Sequence, residues 1–189
     1  AQKDLKRAKL DYNQPTQISY RPFDNRFTYY TGNSNGFHSR PRPVVMNQMK
    51  HDNLAILTSR LTKGEDFAHT FVTRLISEKI LLSPKTSNNS FHFPLYNYQT
   101  DNRKPTLFDD NISPDASENR KPNLAPKFIE DFSAKLKMKF ITIGEGDRKK
   151  TFGPEDIFNY MYAVLHSPTY RSRYAEFLKM DFPRLPLTS

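Results

Sequence analysis

The residues best suited to proton transfer or metal binding are five histidines, His38, His51, His69, His92 and His166. None is placed for either task. No pair has the spacing that sets two imidazoles on one helix face, and none neighbours a carboxylate in a ligand pattern. The 189 residues contain no cysteine, which excludes thiolate nucleophiles, disulfides and cysteine zinc sites and fits a cytoplasmic protein. The run Gly144-Glu145-Gly146-Asp147-Arg148-Lys149-Lys150-Thr151 comes near a phosphate-binding loop, with a glycine, four residues, and a terminal Lys-Thr. Its second glycine is replaced by Lys149, and a lysine resists the backbone conformation that folds amides around a phosphate. The run reads as a charged turn between a strand and a helix, with a nucleotide-holding remnant as the lesser reading. Pro114-Asp115 with Glu118 and Lys121 has the residue types of a metal-dependent nuclease but not the spacing. No Asn-Pro-Pro-Tyr or Gly-x-Ser-x-Gly motif occurs. The sequence therefore predicts no catalytic centre, no metal site and no cofactor site in this chain.

What remains is basic and amide chemistry. The net charge is +9, and it is uneven: residues 1–98 carry 14 Lys+Arg against 7 Asp+Glu, residues 99–189 carry 15 against 13. An excess of cations gathered in one half points to a polyanion there, nucleic acid first. Arg40, Arg42, Arg60, Lys63 and Lys85 stand in loop-like segments with the amides Asn33, Asn35, Asn88 and Asn89. Cations neutralise phosphates, and Arg and Asn also read base edges in the major groove. These nine residues are the candidate DNA contacts, carried by loops at residues 31–42, 60–66 and 83–90. Arg21, Asp24 and Arg26 are too closely spaced to act alike. They predict a structural cluster in which both arginines pair with Asp24.

Loops need a rigid frame. Ile18-Ser19-Tyr20-Arg21 and Arg26-Phe27-Thr28-Tyr29-Tyr30 read as strands around a Pro22 turn, Leu54-Ala55-Ile56-Leu57-Thr58 and Thr70-Phe71-Val72-Thr73 as buried strands. Phe91-His92-Phe93-Pro94-Leu95-Tyr96-Asn97-Tyr98 alternates as a strand does, and its Pro94 marks either a sheet edge or a strand end. Pro43 starts a short helix, Phe128, Ile129, Phe132 and Leu136 keep helical spacing, and Phe140-Ile141-Thr142-Ile143 reads as a last strand. Pro154-Glu155-Asp156 opens a further helix that Ser167-Pro168 divides from the next. The predicted class is α+β: the tail of an upstream helix at 1–10, a sheet-rich recognition core at 11–98, a polar linker at 99–123 and a helical part at 124–189. The first residue is not Met, so the chain is expected to be part of something longer. No apolar run reaches the roughly 20 residues that span a bilayer, and no membrane partner is expected.

Two stretches resemble one family. The first is Tyr20-Arg21-Pro22-Phe23-Asp24-Asn25-Arg26-Phe27-Thr28-Tyr29-Tyr30 with Ser39-Arg40-Pro41-Arg42-Pro43-Val44-Val45-Met46. The second is Pro154-Glu155-Asp156-Ile157-Phe158-Asn159-Tyr160-Met161-Tyr162-Ala163-Val164-Leu165-His166-Ser167-Pro168-Thr169-Tyr170-Arg171 with Asp181-Phe182-Pro183-Arg184-Leu185-Pro186-Leu187. They look like the C-terminal specificity domain of type ISP restriction-modification enzymes and related helicase/methylase fusions. The resemblance implies a bacterial target recognition domain that selects a short asymmetric site in double-stranded DNA. It further implies a parent polypeptide with an endonuclease, a helicase-like motor and an adenine methyltransferase as partner domains. S-adenosylmethionine, ATP and Mg are then expected in the parent, and none of them in this chain. The alternative is a docking module that joins neighbouring domains and reads no sequence.

Overall fold

Ala55-Ile56-Leu57-Thr58-Ser59 carries no charge and has its branched residues at the centre. In the computed structural model it is strand β3 (Ala55–Ser59), buried at every position. The structure describes residues 2–7, 15–83, 88–98 and 120–186. Side chains alternate across a strand, and β3 has something to cover on each face. Ala55 and Leu57 pack with Ile18, Tyr30, Met46 and Ile76, whereas Ile56 packs with Phe158, Leu165, Tyr170 and Leu178. The first set comes from the N-terminal half and the second from the C-terminal helices. One strand therefore ties both halves to a shared frame, and the class is α+β.

β1 (Thr16–Arg21) and β2 (Asp24–Thr28) form an antiparallel hairpin with a bulge between Ser19 and Arg21. Its turn holds Phe23 at φ 64°, a left-handed conformation rare for a bulky residue. The Phe23 ring meets Phe71 edge-on at 5.4 Å. β3 lies between β4 (Thr70–Thr73) and β6 (Ser90–Pro94), both antiparallel. Between them the chain forms β5 (Ile76–Ser77), parallel to β1. α1 (Gln2–Arg7) precedes these strands, and α2 (Pro43–Met46) runs into a 3-10 turn over Asn47–Lys50.

The alternating run from Phe91 to Tyr98 is two strands, and Pro94, at the end of β6 on the edge of its sheet, holds both of the positions expected for it. The backbone breaks at Leu95, whose N–H turns to Leu54 O at 2.7 Å, and β7 (Tyr96–Tyr98) instead pairs with β8 (Arg120–Pro122). Residues 120–122 of the expected linker are thus sheet; residues 99–119 lie outside the described residues. Asn53 holds this junction. Its buried amide donates to Gln48 O and Tyr96 O and accepts from the N–H groups of Leu54 and Tyr96.

α3 (Pro126–Leu136) leads to β9 (Lys139–Phe140), parallel to β10 (Thr151–Phe152). The expected strand to Ile143 stops at Phe140, because its partner β10 ends at Phe152 and the next residue, Gly153, already caps α4. α4 (Pro154–His166) is followed by α5 (Pro168–Arg173) and α6 (Ala175–Met180). The expected second helix is thus two, divided at Tyr174.

Candidate nucleic-acid interface

Residues 31–42 are polar, yet they are fastened. Tyr30 Oη donates to Pro41 O at 2.7 Å, Thr28 Oγ1 meets His38 Nε2 at 3.1 Å, and Asn35 N–H reaches Ser39 O at 3.4 Å. Arg42 sits at φ 49° immediately before Pro43, and its carbonyl accepts the N–H groups of Val45 and Met46. This geometry carries Arg40 and Arg42 outward, both exposed, with the Arg42 guanidinium 5.8 Å from the Phe91 ring.

Beneath these arginines lies a groove of about 610 Å³. One side is the 38–42 segment; the others are the β5 end with Lys79, and β6. Lys79, exposed, brings a third cation to it. The one carboxylate on the groove, Glu78, accepts from Arg21 at 2.8 Å and from Ile80 N–H at 2.8 Å, so its charge is already answered. In the groove wall, His92 Nδ1 bonds Ser77 Oγ at 2.9 Å. Burial lowers the His92 pKa to about 4 and keeps the ring neutral near pH 7. Its folded-state value lies below the unfolded one of about 6.5, so the unfolded chain binds the extra proton between the two. The stability from this site is complete above about pH 6.5 and falls as pH drops towards 4. In urea titrations the His92→Gln variant is expected to lose less stability than the parent across that window. Equal losses would place the pH dependence elsewhere.

The other candidates separate. Asn33 and Asn35 are exposed on the 31–42 loop. Arg60 and Lys63 are exposed on the 60–66 loop, which is stapled to α6: Thr62 N–H meets Lys179 O at 3.3 Å and Arg60 pairs with Asp181 at 3.4 Å. Asn89 is exposed, and Lys85 lies outside the described residues. Asn88 is only 1% exposed, with Nδ2 at 3.2 Å from His69 Nε2. Its amide is buried against His69 and does not present a surface contact. In the Arg21, Asp24, Arg26 cluster, Arg26 does pair with Asp24, at 2.9 Å. Arg21 instead pairs with Glu78, which follows β5 on the side of β1 away from β2; both guanidinium groups lie on the Tyr20 ring, at 4.0 and 3.8 Å.

Lys79, Ser77 and His92 were missed as candidates. β5 is two residues long, too short for any periodicity, so nothing in the sequence brings Lys79 opposite Arg42.

The 144–151 run has its anion within the chain. Asp147 Oδ1 accepts the N–H groups of Lys149, Lys150 and Thr151 at 2.8–2.9 Å. Those bonds, the Lys150 and Lys149 amides foremost, lower its pKa to about 2. Asp156 Oδ2 accepts Gly146 N–H at 2.6 Å and Gly153 N–H at 2.9 Å. Burial works to raise the Asp156 carboxyl, but these amides and Arg148 hold it below its ordinary value. A Cβ on Gly146 would stand 2.3 Å from Thr151 O, so this glycine serves a close backbone crossing. The amides a phosphate would need are taken. Among the described residues no cluster of three or more His, Asp or Glu could hold a metal, and no helix is long and apolar enough to cross a membrane.

A cation-rimmed groove on a mixed sheet, backed by C-terminal helices, defines an α+β module built to present a surface. The sequence matches the type ISP C-terminal specificity domain model over residues 1–189, and the chain belongs to that family. A solved structure described as a cryoEM structure of a DrdV–DNA complex has a similar fold, with TM-score 0.66 and 24% identity. The match covers 96% of this chain and 15% of that one. No curated protein matches the sequence.

Proposed function

We propose that this chain is a sequence-specific reader of double-stranded DNA. One observation carries the reading: three exposed cations, Arg40, Arg42 and Lys79, surround a groove whose single carboxylate is neutralised by Arg21. A duplex offers one phosphate charge per roughly 1.7 Å of axis, and such a rim meets it without competition from a free acid. Membership of the specificity-domain family and a fold like that of the DrdV–DNA complex support the same partner. Arg40, Arg42 and Lys79 hold phosphates, while the exposed amides of Asn33, Asn35 and Asn89 suit base edges. Arg60 and Lys63 extend the positive surface towards α6. The methyltransferase, helicase-like and nuclease chemistry, with its S-adenosylmethionine, ATP and Mg, belongs to other domains of a longer cytoplasmic polypeptide. Selection of bound duplexes from a random pool tests the reading.

Docking to a neighbouring domain is the second reading. It draws on Phe23, Phe27 and Val44, which are 92, 68 and 82% exposed. Retained duplex binding after Phe23→Ser and Phe27→Ser would keep docking and DNA reading on separate surfaces.

A further inference from the structure

The C-terminal half is nearly neutral as a whole, yet its charge is not spread evenly. Residues 135–151 carry six Lys+Arg against two Asp+Glu, and no Asn or Gln. Lys137, Lys139, Lys149 and Lys150 are all exposed. The parallel pairing of β9 with β10 brings the segments that enter the two strands side by side. Thr151 stands opposite Lys139, and Lys139 N–H donates to Lys150 O at 2.8 Å. Paired strands lie about 4.8 Å apart, so the four lysines share one end of this small sheet. Phe140 and Phe132 meet the Phe152 ring at 5.3 and 5.4 Å on the inner face, and alternation sends Lys139 outward. The nearby acids are answered by other groups. Glu145 and Asp156 pair with Arg148 at 2.6 and 2.8 Å, and Asp147 Oδ1 accepts three amide N–H groups and Thr151 Oγ1. Among the described residues none of the four lysines forms an ion pair.

We propose that Lys137, Lys139, Lys149 and Lys150 form a second contact surface for the duplex, one that holds phosphates beyond the selected site and reads no bases. The inference rests on the duplex binding proposed above. None of the four lines the groove, so the surface is separate from it. Four like charges at one end of a sheet repel one another, and their summed field attracts a polyanion. Lysine is a compact point charge on a flexible stem, without the fixed fork of arginine, and so suits a phosphate. The 31–42 loop differs in kind, since it sets arginines among asparagines. Asp147 holds the amides of Lys149 and Lys150 in a fixed turn, so both lysines stand on a defined backbone. The run that comes near a phosphate loop thus meets phosphate with its side chains, its amides being taken.

The test compares the 189-residue chain with a variant in which Lys139, Lys149 and Lys150 become Gln and Lys137 becomes Asn. Asparagine suits the left-handed backbone of Lys137, whose φ is 55°. Duplexes are selected from a random pool, and affinities for selected and unselected duplexes are measured over a salt series. The variant should bind every duplex about tenfold or more weakly at moderate salt, with the slope of log affinity against log salt smaller by about 2 or more. The selected site should stay the same. An unchanged slope and affinity, or a changed site, overturns the inference and leaves the duplex-reading function standing. Should the unmodified chain bind duplexes but select no site, the reading of sequence falls, and the variant still decides whether the lysines hold phosphates. Failure of the unmodified chain to bind any duplex removes both. Should the variant not fold, lysine acetylation of the unmodified chain read by mass spectrometry decides. Protection of the four lysines by duplex, with Lys127 unprotected, supports the contact, and equal labelling with and without duplex refutes it.

Discussion

Replacing Arg40 and Arg42 together by alanine is expected to weaken duplex binding by about tenfold or more at moderate salt, and to flatten its salt dependence. Each phosphate contact contributes about −0.9 to the slope of log affinity against log salt, so losing two should reduce that slope by about 2. The variant should fold. Both side chains are exposed, and what they contribute to the fold, the Arg42 carbonyl and its N–H partners in α2, is backbone. Lys127→Ala serves as the control, because Lys127 lies on α3 with its side chain 84% exposed and no part in the groove. Fluorescence anisotropy over a salt series checks the expectation. An unchanged slope would remove the 31–42 loop from the interface.

The largest stability loss is expected at Asn53. Its amide makes four hydrogen bonds to main-chain groups around the β3/β7 junction, at 2.8 to 3.1 Å. Asn53→Ala strands two N–H groups and two carbonyls where water has little access. At roughly 1 kcal/mol for each net bond, the loss is about 3–4 kcal/mol. That corresponds to a melting temperature lower by about 6–16 °C in a chain of this size. Asn53→Asp keeps the two acceptor roles but sets a carboxylate oxygen against the Gln48 and Tyr96 carbonyls at a buried position, and should lose at least as much. Urea and thermal unfolding measure both. A loss below about 1 kcal/mol for Asn53→Ala would mean that β7 finds other partners, and that the split of the alternating run at Leu95 does not depend on this residue.

The elements that carry periodic patterns were legible. The apolar run of β3, the Pro-led starts of α2 and α4 and the Pro94 edge of β6 all follow from side-chain alternation, fixed proline φ or a missing N–H. The loops around Arg40, Arg42, Arg60 and Lys63 could be located because polar, Gly- and Asn-rich segments break those patterns. What could not be read was tertiary. Arg21 pairs with Glu78, 57 residues away, rather than with Asp24 three residues on. Asn88 resembles Asn89 in sequence but alternation turns one inward and the other outward. The groove itself comes from β5, whose two residues carry no periodic signal, lying beside β1 and bringing Ser77 and Lys79 towards β6. The near phosphate loop at 144–151 shows the converse: its residue types invite an anion, and the fold supplies Asp147 and Asp156 as that anion.

The central claim is that the chain reads sequence and does more than grip phosphates. The direct measurement is selection of bound duplexes from a random pool at low and moderate salt, followed by sequencing. Enrichment of one short asymmetric site that persists as salt rises is the result expected of base readout by the groove. Binding that fades with salt and enriches no site would contradict it, because phosphate contacts alone carry that signature.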